Sequence, residues 1–309
     1  MRVDKDLLDS LTKRATGYQD RAQVFHLEQP AMAGSIKSAI ELVSLIWPWF
    51  DHCQMRPDVL STGSVASFLL PDDGDLQVFG ASGAIAAAMR GIATRRPLDQ
   101  DERNADRNKL IALAERTARI IADAYHAPDE ELRFERLWHL KAQGTTLKGE
   151  RTATALLQVT SAFRRYVHGL PVLGRASVHV TLGADSAVTR WGVDWRRVSG
   201  KAVAETSVIE PAEGAYRVMA DLFWRRPEKT FTLADFTPSS FVLGYISMPR
   251  RQTQSILQPA WVAILDPAGG GTTRGQFVAV PAAPEAFEPL IRVTRRTRVA
   301  EGRNRPGTT

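Results

Sequence analysis

"YVHGLPVLGRASVHVTLGADSAVTRWGVDW" (Tyr166–Trp195) is the stretch whose reading decides the fold. A tight turn at Gly169-Leu170-Pro171 is followed by an alternating run, a Gly183-Ala184-Asp185 turn and a second alternating run. Alternation of apolar and polar residues between turn signals predicts strands, and their close succession predicts a β-meander. In the first run Ala176, Val178, Val180 and Leu182 fall on one face, and Arg175, Ser177, His179 and Thr181 on the other. That pattern describes a sheet with one packed side and one wetter side.

Working outward, "ELRFERLWHLKAQG" from residue 131 and "ATALLQVTSAFRRYVHG" from residue 153 extend the meander to four strands. Upstream, residues 102–126 carry the clearest helical period in the chain, with Leu110, Leu113, Ala114, Ala118, Ile121 and Tyr125 on one face and charges opposite. Such a helix is the natural cover for the packed side. The order recurs downstream. A helix after Pro211, with Ala215, Val218, Met219 and Leu222 inward, precedes strands in "SSFVLGYISM", "PAWVAILD" and "RGQFVAVPA". The expected fold class is therefore α+β, built of cystatin-like units in which one helix covers an antiparallel sheet, with an additional α/β segment at the N-terminus. The corresponding divisions are 1–100, 101–200, 201–290 and a basic tail at 291–309.

The N-terminal segment holds a helix in "SIKSAIELVSLIWPWF", where Ile36, Ile40, Val43 and Trp47 share a face, Gly34 or Ser35 supplies the cap and Pro48 stops the run. "SVASFLL" and "DLQVFG" around Pro71-Asp72-Asp73-Gly74 predict a hairpin. The alanine-rich "ASGAIAAAMRGIATRRP" that follows reads as helix. Its glycines match neither a phosphate loop nor a dinucleotide fingerprint, which need a fixed spacing after a strand.

The stretch "FRRYVHGLPVLGRASVHVTLGADSAVTRWGVDW" resembles the propeptide region of thermolysin-type metalloproteases, the FTP and PepSY modules. The matching positions are Phe163, Arg165, Gly169, Leu170, Pro171, Val172, Gly174, Val178, Val180 and Gly183, and the resemblance extends over about residues 130–282. It implies a helix-on-sheet unit that covers, helps to fold or inhibits a protease. No catalytic domain accompanies it in this sequence.

Charge points in a limited direction. The formal net charge is +6, but much of it sits in the arginine-rich tail 291–309. That tail lacks the stacking aromatics that nucleic-acid binding uses, so nucleic acid is not expected as a partner. A solvated end is the simpler reading. The single cysteine, Cys53, excludes an internal disulfide, and its sequence neighbour His52 does not make a catalytic dyad. The charged N-terminus has no apolar signal core, and no stretch reaches the roughly 18 apolar residues of a membrane span. The chain as written reads as soluble and cytoplasmic, or as secreted if its N-terminus has been trimmed.

Catalytic chemistry is harder to find. The six histidines contain no His-Glu-x-x-His motif, and no serine sits in a nucleophile elbow. His139, His168 and His179 can meet only if the hairpin and a neighbouring strand bring them together; histidines tied by ordinary hydrogen bonds are the simpler expectation. Asp194, between Trp191 and Trp195, is the carboxylate to watch, either raised in pKa by burial or neutralised by Arg190, Arg196 or Arg197. Trp191, Val193 and Trp195 share one strand face and read as core. On the opposite sheet face, Arg164, Tyr166, His168, Arg175 and His179 are the candidate binding residues, because tyrosine and arginine suit recognition surfaces. No catalytic residue, metal ligand or cofactor site is assigned. The expected function is a non-catalytic binding or scaffold protein, in specific form a protease inhibitor or folding chaperone, whose partner is a peptide, a protease or a small molecule. The alternative is an enzyme acting on a small molecule in a pocket between the N-terminal segment and a curved sheet.

Overall fold

The computed structural model describes residues 4–50, 55–58, 64–93, 98, 107–125, 130–145, 149–175, 177–225, 231–268, 275–288 and 290. Cys53, His52, His126, Ala176 and the tail 291–309 lie outside the described residues. The chain opens with α1 (Lys5–Lys13), β1 (Ala15–Thr16), β2 (Arg21–His26) and α2 (Met32–Ile46). β3 (Arg56–Pro57), β4 (Val65–Leu70), β5 (Gly74–Phe79), β6 (Ile85–Met89), the short α3 (Arg90–Ala93) and α4 (Arg107–Tyr125) follow. The meander is β7 (Glu130–Ala142), β8 (Ala155–Val167), β9 (Leu170–Leu173), β10 (Val178–Leu182) and β11 (Val188–Val193). The remainder is β12 (Ala204–Ser207), α5 (Pro211–Arg225), β13 (Phe236–Ile246), β14 (Ile256–Leu257), β15 (Pro259–Pro267) and β16 (Gln276–Pro281).

These strands correct the expected fold class. Instead of separate cystatin-like units, the described residues build one 13-stranded mixed sheet, in which β9 and β10 both pair with β8, and β13 joins β9 in parallel. A second sheet of three strands, β12-β2-β14, lies apart from it. The physical reason is the break between the end of β9 at Leu173 and the start of β10 at Val178. β9 and β10 run successively along β8, and at the break each turns to a different further neighbour, β13 or β11. One strand pair thereby ties both halves of the chain together.

Two cores form on one side of this sheet. Odd-numbered residues of β8 point the same way, and Val159 and Phe163 enter the first core while Val167 enters the second. The first core packs α2 and α4 on β5, β6, β8, β10 and β11, with Trp191, Val178 and Val180 fully buried. The second packs α1 and α5 on β13, β15 and β16 around Trp261, Phe241 and Tyr245. Elements from both ends of the chain therefore share a core. No helix among the described residues is long and apolar enough to cross a membrane.

Local readings are corrected in three places. The alanine run is strand β6, hydrogen-bonded between β5 and β11, with only the short α3 after it. Helix propensity separates residues by about 1 kcal/mol or less, which ladder pairing on both edges and burial of Ile85, Ala87 and Met89 outweigh. The turn in the deciding stretch is His168-Gly169, both at positive φ (46° and 79°), closing a two-residue loop between Val167 and Leu170. Pro171 belongs to β9, opposite Tyr166. Finally, the side of β10 expected to be wetter is largely covered: Ser177 and Thr181 are buried, and Thr160 and Thr181 join their hydroxyls at 2.9 Å.

Close approach of α5 to the sheet needs a glycine. A Cβ on Gly214 would lie 2.5 Å from Trp261 Cδ1. Gly214→Ala gains about 1 kcal/mol of helix propensity, but overpacking against a buried indole costs about 1–3 kcal/mol. The expected outcome is a lowered midpoint in urea denaturation, the reverse of what helix propensity alone predicts.

Candidate functional site

A cleft of about 970 Å³ opens between the two helix-covered halves. One wall comes from β2 and the residues after it, Phe25 and Glu28; another from the C-terminal turn of α4, Tyr125; the far side from the 197–202 segment with Arg197 and Lys201. Extension of β2 sets this arrangement, because Leu27 bridges Val198 and the Glu28 N–H donates to Arg197 O at 2.9 Å. His168, held at positive φ by the hairpin, lies parallel to Phe25 with ring centroids 5.3 Å apart. Arg197 donates to Ala124 O at 2.6 Å and sits over the Tyr125 ring at 5.0 Å. Burial pushes the Tyr125 phenol up to about 12, with the Arg197 charge opposing, so it stays protonated at neutral pH.

The base of the cleft is an ion pair. Glu130 and Arg165 are both buried and in direct contact. The other Glu130 oxygen accepts from Trp195 Nε1 at 3.0 Å, and Arg165 also donates to Arg196 O at 2.7 Å. Burial lowers the pKa of Arg165 while Glu130 acts against that shift. A guanidinium remains protonated in proteins, so the pair is a charged clamp between the cores.

A smaller lobe of about 240 Å³ shares Glu28, Tyr125 and Arg197 with the cleft. It reaches the N-terminus of α2, where Ala31 provides no side-chain cap and the first helical bond is Ser35 N–H to Ala31 O. Gly34, Ser35 and Ser38 of this helix line the lobe.

The structure does not gather the five candidate residues into one site. His168 lines the cleft. Arg164 lies across the sheet, donating to Val172 O at 2.7 Å and to Glu135 at 2.5 Å. Tyr166 carries Arg133 over its ring at 4.2 Å. Arg175 lines a separate groove near β16. His179 is mostly buried on β10, opposite Gly192. Among the described residues no three potential ligands cluster for a metal, so His139, His168 and His179 do not assemble. Asp194 is ion-paired with Arg250, at 2.5 and 2.7 Å; Arg196 feels its charge, but among the described residues no bond joins Asp194 to Arg190, Arg196 or Arg197. Arg196 instead donates to the carbonyls of Ala81, Met248, Pro249 and Gln252. Phe25, Lys201 and Glu130 were not singled out from the sequence; the contacts that unite them are between distant segments.

His179 has a measurable consequence. Burial first, then the Arg250 charge, hold its pKa down to about 4; Asp194 opposes, and Arg190 and Arg175 add to the lowering. The folded protein then binds fewer protons than the unfolded chain between about pH 6.5 and 4. Stability is full above that window and falls as pH drops through it, by up to about 3 kcal/mol. Denaturation midpoints across this range will show the slope, and His179→Gln will flatten it.

These two helix-covered halves on a common mixed sheet define the fold class. Comparison places it beside the crystal structure of an uncharacterized protein from Eubacterium rectale ATCC 33656, with a TM-score of 0.51 and 10% sequence identity over 94% of this chain and 100% of that one. The likeness is one of fold. No family model matches the chain, and no curated protein matches it; neither comparison shows the propeptide resemblance.

Proposed function

We propose that the protein is a non-catalytic binding protein whose ligand is a small, planar anion held in the cleft between its two halves. The observation that carries this reading is the pairing of a flat face with cations. His168 is exposed and backed by the buried Phe25 ring, and Arg197 and Lys201 line the same space. Ligand sites are commonly apolar concavities of ~300–1,000 Å³ with a few placed polar groups. Arg197 is already oriented by Ala124 O, which lowers the cost of ordering it on binding. The hydroxyls of Ser35 and Ser38 in the adjoining lobe supply further donors for an anionic group.

A catalytic reading of the same cleft has Glu130 in its favour, but both its oxygens are engaged, by Arg165 and by Trp195. The binding reading uses the groups as they stand. Naphthalene-2-carboxylate is a suitable probe, titrated calorimetrically into the full chain. Arg197→Ala and Lys201→Ala are each expected to weaken binding about tenfold, the equivalent of one charge-assisted hydrogen bond. Equal binding of the neutral 2-naphthamide, or no change in either variant, contradicts the proposal.

A further inference from the structure

β16 ends the large sheet. Its register with β15 pairs Ala260 with Pro281 and Leu265 with Gln276, and the Ala282 N–H donates to Pro259 O at 3.0 Å. In an antiparallel ladder, residues that exchange bonds with the neighbour alternate with residues that do not. Gln276, Val278 and Val280 therefore turn their N–H and C=O groups to β15, while Phe277, Ala279 and Pro281 turn theirs outward. Pro281 has no N–H, and its carbonyl accepts from Arg217 Nη1 at 3.3 Å. Among the described residues, Phe277 and Ala279 have no backbone partner on that side.

This edge opens into a groove of about 770 Å³, distinct from the cleft between the halves. Helix α5 overhangs it with Arg217, Asp221, Trp224 and Arg225, and Arg175 approaches from the 174–175 bend. Trp224 is 67% exposed and Phe277 46%. A row of unpaired backbone groups beside exposed aromatic surface is a template for another strand.

We infer that this groove takes an extended peptide of alternating acidic and apolar residues, which adds to β16 as a further strand. Charge selects this occupant. Asp221 pairs with Arg225 at 2.6 Å and Glu213 with Arg217 at 3.0 Å, whereas Arg175 has no partner among the described residues. The lining is thus net basic. A second copy of the chain would set these arginines against their like, and so would the arginine-rich segment 291–309. Side chains of a strand alternate in direction with period two. Val278 and Val280 face the α5 side and Phe277 and Ala279 the other, so the acidic set reaches Arg217 and Arg225 beside Trp224 while the apolar set meets Phe277 and Ala279.

The test uses an N-acetylated, C-amidated heptapeptide of alternating glutamate and valine, labelled with fluorescein, and the full chain. Anisotropy is expected to give saturable binding at least tenfold tighter than for the lysine–valine counterpart. Arg175→Glu and Trp224→Ala, both on the exposed surface, are expected to weaken it at least fivefold. N-methylation of alternate peptide amides should abolish binding in one phase and leave it within twofold in the other. Amide exchange at Phe277 and Ala279 should slow when the glutamate–valine peptide is bound. Equal affinity for the lysine–valine peptide, tolerance of methylation in both phases, absence of binding at millimolar peptide, or protection of the edge by self-association without peptide would each overturn the inference. None of these outcomes bears on the cleft, because no groove residue used here lines it.

Discussion

Glu130→Ala will lower the stability of the protein by about 3–5 kcal/mol, because it leaves the Arg165 guanidinium buried without its counter-charge. Arg165 is 2% exposed. Its remaining contacts, the Arg196 carbonyl and the Trp195 ring 5.2 Å away, do not neutralise it. Trp195 Nε1 loses its acceptor in the same step. The cost comes from the orphaned charge more than from loss of a favourable bond, so the double variant Glu130→Ala/Arg165→Met should recover much of it. Guanidinium denaturation of the two variants beside the parent separates these terms. A single-variant loss under about 1 kcal/mol would mean that water reaches Arg165.

Trp261→Ala is the second large effect expected, also about 3–5 kcal/mol. The indole is fully buried, stacks on Phe241 at 4.6 Å and donates Nε1–H to Ile209 O at 3.0 Å. It also fills the space that Gly214 leaves open under α5. Removing it creates a cavity and strands a backbone carbonyl. Trp261→Phe keeps the stacking and loses the hydrogen bond, so it should cost about 1–2 kcal/mol. The cores are separate, so the Glu130 and Trp261 effects should add within about 0.5 kcal/mol.

Much of the local structure is legible in the sequence. Five of the six residues expected on the inner face of the 102–126 helix are buried in α4, and Leu113 is partly buried. The Pro71–Gly74 hairpin forms with Asp72 and Asp73 both at positive φ, the conformation such turns require. Trp191, Val193 and Trp195 are core. α1 carries a short signal that the sequence reading above does not use: Asp4 accepts from the Leu7 N–H at 2.7 Å, and Leu7 and Leu11 are one turn apart and fully buried. What the sequence does not carry is which strand pairs with which. The β9–β13 ladder joins Val172 to Tyr245, and no local pattern specifies a partner so far along the chain. That pairing turns two apparent helix-on-sheet units into one sheet.

The cleft follows the same logic. His168 is visible as a polar residue beside a turn, but its role depends on Phe25 arriving from β2. Arg197 looks like a partner for Asp194 until Arg250, 56 residues away, takes that place. Both outcomes are set by tertiary contacts between segments whose local patterns are silent about each other.

The most direct test of the cleft is amide hydrogen exchange, read by mass spectrometry, on the full chain with and without naphthalene-2-carboxylate. Binding between the halves predicts slowed exchange in peptides covering residues 23–28 and 197–202, with β16 unchanged. Protection absent from both segments, or confined to β16, would contradict it.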